Sequence, residues 1–99
     1  MKDANQRRER IEETTVGDID GWMVTVANIM PGSYQDADGA SHEGMSAKVG
    51  LYDEDRADKG EARVGAGSVL TIHGQRWQVE QVAQGANGGN GHIVLRKAP

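Results

Sequence analysis

Fifteen carboxylates, three histidines and no cysteine set the chemistry open to this chain of 99 residues. The absence of cysteine removes disulfides, thiolate metal sites and thiol nucleophiles together. Two Asp-rich stretches invite a calcium reading, which needs oxygen ligands at loop positions 1, 3, 5 and 12 with glycine at 6. With Gly39 set at position 6, Asp36 and Asp38 fall well, but Tyr34 stands at 1 and Met45 at 12. Starting at Asp53 puts Ala57 at 5 and Asp58 where the glycine belongs. Neither stretch is a calcium loop, and solvated loop acids are the plainer reading.

The histidines, His42, His73 and His92, are too far apart for a contiguous zinc motif. A fold that joined His73 and His92 with one carboxylate would make a three-ligand site, yet a histidine at the end of a strand is usually an exposed polar residue. Ser68 lies in GAGSVL ahead of a strand, not in a G-x-S-x-G elbow. The tract GANGGNG, residues 85 to 91, is followed by a strand-forming run and lacks the lysine and helix N-terminus of a phosphate loop. It reads as a hairpin loop. No metal, no cofactor and no enzymatic activity are expected.

Charge is more informative. Residues 11 to 61 hold twelve acids against Lys48, Arg56 and Lys59, whereas both ends of the chain are basic and the whole carries −4. An acidic middle repels phosphate and attracts basic partners, so nucleic acid is not expected as a ligand. Arg63, Arg76, Arg96 and Lys97 with Trp77 are thin evidence for an RNA surface beside it. The charged N-terminus lacks the apolar stretch of a signal peptide, and no run of about 18 apolar residues exists to span a membrane. A cytoplasmic protein without membrane contact is the expectation.

The elements that must position these groups follow from period and turn chemistry. Residues 1 to 10 have no apolar residue after Met1 and read as a flexible arm, with one β domain over 11 to 99. IEETTVGDI supplies a first strand. Apolar residues fall on both faces of WMVTVANIM, residues 22 to 30, which predicts a central strand ended by Pro31 and Gly32. Residues 31 to 44 then form a long loop whose one large side chain is Tyr34, either a contact anchor or folded back over the sheet.

In MSAKVGLYD, Met45, Ala47, Val49 and Leu51 alternate with polar partners and predict a half-buried strand. Residues 53 to 61 are a polar connection and EARV begins a short strand. SVLTIH, RWQVEQVAQ and GHIVLRK form an antiparallel meander, with a phase slip between Val79 and Val82 that predicts a β-bulge near Glu80 and Gln81. IDGWMV and IHGQRWQV share the order Ile, polar residue, Gly, then Trp, any residue, Val. Both read as a strand, a glycine turn and a strand, with Trp22 and Trp77 capping the ends of the core.

The fold expected is all-β, a small antiparallel sandwich or partly open barrel of about six or seven short strands. With 36% hydrophobic residues and four aromatics, the core is sparse enough for a stability near 5 kcal/mol. The leading functional reading is a non-enzymatic acidic module of inhibitor or immunity type, occluding a basic protein such as a toxin. Tyr34, Asp36, Asp38, Asp53, Glu54, Asp55 and Asp58 are its expected contact residues. A second reading is a structural assembly component of a phage particle or secretion machine, self-associating through its arm and an open sheet edge. A third is a small-ligand barrel with His73, Trp77 and His92 at its mouth.

Overall fold

A computed structural model describes residues 7–86 and 90–98. Eight strands form two four-stranded antiparallel sheets. They are β1 (Arg8–Glu12), β2 (Val16–Ile19), β3 (Trp22–Gln35), β4 (Ser41–Tyr52), β5 (Asp58–Val64), β6 (Val69–Ile72), β7 (Gln75–Ala83) and β8 (His92–Lys97). One sheet has the order β1-β8-β7-β6 and the other β2-β3-β4-β5. The first therefore joins the two ends of the chain, and the second is its middle.

The alternation read from the sequence is what buries the core. Val24 and Val26 of β3, Ala47, Val49 and Leu51 of β4, Val79 of β7, and Ile93 and Leu95 of β8 all lie between the sheets. This is a sandwich packed by inner faces. The meander β6-β7-β8 is present, and its bulge sits between Val79 and Gln81.

Several boundaries differ from expectation. The N-terminal arm is shorter: Arg8, Glu9 and Arg10 belong to β1, pairing with Arg96, Leu95 and Val94. Residues 1–6 of the expected arm lie outside the described residues, as do residues 87–89 of the GANGGNG loop. Ile11 alone of β1 is fully buried, and it is the partner strand β8, far away in sequence, that draws the flanking charged residues into a sheet. The single first strand is two, because the turn after Glu12 sends β1 and β2 into different sheets.

The expected loop over residues 31 to 44 is mostly strand. β3 runs through Pro31 to Gln35, paired to Ser41–Met45 of β4. Proline is tolerated there because β2 covers β3 only as far as Thr25, so the missing N–H of Pro31 falls on an uncovered side. A bulge at Asn28 and Ile29, with Asn28 at φ 51°, shifts the register and bends the hairpin. Glu13 braces the bend, accepting from Ile29 N–H at 3.4 Å and Gly91 N–H at 3.1 Å. Among the described residues there is no helix, and hence none long and apolar enough to cross a membrane.

Candidate functional site

The two sequences that echo one another are two hairpin turns of the same kind. Asp20-Gly21 and His73-Gly74 each form a two-residue loop with positive φ at both positions, 52° and 88° in the first, 52° and 78° in the second. This is the type I′ geometry, which matches the strand twist and favours glycine second. The tryptophans behind these turns are not equivalent, however. Trp22 directly follows its turn and is half-buried against the end of the core, whereas Trp77 stands two residues deeper and is fully buried. Trp77 is thus a central core residue, not a cap. Its indole N–H has no acceptor among the described residues, and the Arg7 guanidinium lies 5.3 Å from the centroid of its ring.

The two turns meet at one end of the sandwich. The rings of Trp22 and His73 stack at 6.0 Å with 17° between planes, and His73 Nδ1 lies 3.2 Å from the Asp20 carbonyl. Trp22 Nε1 donates to Glu54 Oε1 at 3.1 Å, which ties in the β4–β5 turn. Three hairpin tips therefore share one surface, carrying Asp18, Asp20, Asp53, Glu54, Asp55 and Asp58. Arg7, Arg56 and Lys59 stand among these acids, with Arg76 and Lys97 on the side of the other sheet. Arg7 donates to Glu9 and Asp20 at 2.9 and 3.1 Å, bonds that raise its pKa above the ordinary value.

The seven expected contact residues do not form one patch. Tyr34, Asp36 and Asp38 sit at the β3–β4 tip, while Asp53, Glu54, Asp55 and Asp58 sit at the β4–β5 turn, with the 12 residues of β4 between them. At ~3.3 Å per residue that strand spans most of the molecule.

Some of these acids also serve their own loops. Asp36 Oδ1 accepts from the N–H groups of Asp38 and Ala40 at 2.9 and 3.0 Å. Asp53 Oδ1 accepts from Asp55 and Ala57, both at 2.9 Å. The loops are copies of one device, D-x-D-[GR]-A, with the fourth residue at positive φ in each: Gly39 at 84° and Arg56 at 65°. That repeated spacing was the available signal that Asp36 and Asp53 close turns. Both carboxyls are held below the usual Asp range, Asp36 chiefly by its bond to His42 and Asp53 chiefly by the Ala57 N–H.

Tyr34 is folded back. Its ring lies on the α-carbon of Gly65, where an added Cβ would stand 2.3 Å from Cε1, and it stacks on His42 at 5.6 Å. His42 Nε2 lies 2.7 Å from Asp36 Oδ2. The Ala37 N–H donates to the Gly67 carbonyl at 3.0 Å and Ser68 Oγ donates to the Gln35 carbonyl at 2.6 Å, so the tip is docked on the β5–β6 connector.

The third reading loses its geometry. His73 adjoins the start of β7 and His92 pairs with Ala83 at its end, so the two histidines stand at opposite ends of that strand with Trp77 buried between. Among the described residues, no group of three or more His, Asp or Glu side chains converges as a metal cage.

What sequence reasoning missed is the membership of Asp18, Asp20 and His73 in the acidic end. The DIDGW and IHG turns were visible, but not that their tips would meet. Comparisons with family models, with curated proteins and with solved structures find no match.

Proposed function

We propose that this protein is a non-enzymatic binding module that offers its acidic end to a basic protein partner, as an inhibitor or immunity-type protein does. The observation supporting this reading is the meeting of three hairpin tips, which sets six carboxylates around the half-buried Trp22 and the exposed His73 stacked on it. An amphipathic aromatic flanked by charge suits a protein contact, the ring supplying buried area and the carboxylates steering encounter. Tyr34, Asp36 and Asp38 drop out of the contact set, and Asp20, Trp22 and His73 join Asp53, Glu54, Asp55 and Asp58.

Charge distribution agrees with this. The strands of the β2–β5 sheet and their hairpin loops hold ten acids against four bases, whereas the strands of the other sheet hold five bases against three acids. Assembly through a sheet edge has less support. β2 and β6 have only four residues each, β1 carries four charged residues of five, and β5 is broken by a register shift beside Gly60.

The test is association with a basic protein partner, followed by stopped-flow kinetics at several salt concentrations. The triple variant Glu54→Gln, Asp55→Asn, Asp58→Asn keeps the acceptor oxygens and removes three charges. Its association rate is expected to fall by an order of magnitude at low salt and to lose most of its salt dependence. A variant that binds a basic partner at the wild-type rate and with the same salt slope would exclude the acidic end as the contact surface.

A further inference from the structure

The sandwich is closed on one side and open on the other. At the closed side β1 packs on β2, with the Ile11 side chain lying on the α-carbon of Gly17. At the other side β5 and β6, the last strands of their sheets, flank a cleft of about 590 Å³ that the docked β3–β4 tip partly roofs. That volume lies within the ordinary range for small-molecule sites.

The lining of the cleft has a definite character. Val64, Val69 and Ala62 give it an apolar part, the Tyr34 ring is at the roof, and Ser33 and Thr71 bring hydroxyls. Arg76 is its unspent charge. Arg7, Arg8 and Arg10 pair with carboxylates, Arg96 donates to Gln78, and Arg63, which also borders the cleft, donates to the Asn28 carbonyl and Ser46 Oγ. For Arg76, no carboxylate partner and no acceptor for the guanidinium exists among the described residues. The other charged group at the cleft is Asp36, whose carboxylate is engaged by two loop N–H groups and by His42.

We propose that this cleft binds a small organic monocarboxylate with an apolar body, its carboxylate taken by Arg76. A guanidinium presents paired N–H donors that match a carboxylate in bidentate fashion. The apolar lining of Ala62, Val64 and Val69 receives the rest of the molecule. A dianion such as phosphate suits the site less well, because one uncommitted arginine faces it and Asp36 stands nearby. This inference is independent of the acidic end.

Benzoate serves as the probe, with benzamide as its neutral counterpart and inorganic phosphate as a competing anion, each titrated into the ¹⁵N-labelled protein and followed by NMR. Benzoate is expected to saturate with a dissociation constant of about 1 mM, shifting the amides of Ser33, Ala62 to Val64 and Val69 to Thr71 together with the Arg76 side-chain N–H. Benzamide, phosphate and the Arg76→Gln variant with benzoate should each bind at least about tenfold more weakly. Arg76→Lys, which keeps the charge but not the fork, should fall between. Arg76 is exposed, and an unchanged spectrum outside the cleft verifies that each variant is folded. Absence of saturation by about 50 mM benzoate, equal binding of benzamide or phosphate, or shifts centred elsewhere would each overturn the proposal.

Discussion

Replacing Gly65 by alanine tests whether Tyr34 is an internal strut. An added Cβ would lie 2.3, 2.4 and 2.6 Å from three carbons of the Tyr34 ring, about 1 Å or more inside normal contact. The ring cannot retreat freely, because His42 stacks on it and the tip is bound to the β5–β6 connector through Ala37 and Ser68. Overpacking of this kind costs about 1–3 kcal/mol. For a domain of this size that lowers the midpoint of thermal unfolding by roughly 4–8 °C per kcal/mol.

The informative measurement is a double-mutant cycle by urea denaturation. Tyr34→Ala alone is expected to cost about 1–2 kcal/mol through lost ring packing. Once the ring is gone, Gly65→Ala should be neutral or stabilising by about 0.5 kcal/mol, since φ at Gly65 is not positive and alanine restricts the unfolded chain. The coupling between the two sites should therefore exceed about 1 kcal/mol. If Gly65→Ala costs the same with and without Tyr34, the clash is not the reason for its cost, and the docked-tip account of Tyr34 is wrong.

Further outcomes follow from the same contacts. Trp77→Ala should cost about 3–5 kcal/mol, against about 1–2 for Trp22→Ala at the core's rim; single-tryptophan variants should show Trp22 fluorescence quenched by acrylamide and Trp77 protected. The carboxyls of Asp36, Asp53 and Glu80 are all held below their usual pKa, Glu80 chiefly by its bond to Arg8 at 2.7 Å. A depressed folded value makes each contribution complete above the unfolded pKa, near 3.8 for Asp and 4.5 for Glu, and lost as pH falls through the folded value. Stability measured between pH 5 and 2 should thus fall less steeply in Asp36→Asn and Asp53→Asn than in the parent, and identical acid limbs would contradict the assignment. Isothermal titration of the Glu54, Asp55, Asp58 amide variant with a basic partner should register weaker and less salt-dependent binding than the parent.

Local chemistry made the inner face and the turns readable in the sequence. Alternation at Met45, Ala47, Val49 and Leu51, the phase slip at Glu80, and glycine at the second position of two tight turns each depend on a few neighbouring residues. The sequence also carried the D-x-D-[GR]-A repeat at residues 36 to 40 and 53 to 57, although its role in closing turns is evident only once the N–H groups are seen to point at Asp36 and Asp53.

Other features had no local cause. Arg8 to Glu12 has one core residue and becomes a strand because β8 offers it a partner about 85 residues away in the chain. Pro31 sits inside β3 because β2 stops short, a fact of sheet layout that its own neighbours do not encode. Charge segregation along the chain was plain by counting; its conversion into two sheets of opposite balance required the sheet layout, which keeps Arg96 and Lys97 of β8 in one sheet, with the balanced β1 and β7 beside it, and gathers the acidic middle in the other. The sequence by itself determined strand alternation, turn type and the acidic middle. The tertiary structure alone decided that Asp20, Trp22, Glu54 and His73 share one surface while Tyr34 turns inward, because hairpin tips meet through non-local packing that no short stretch of sequence specifies.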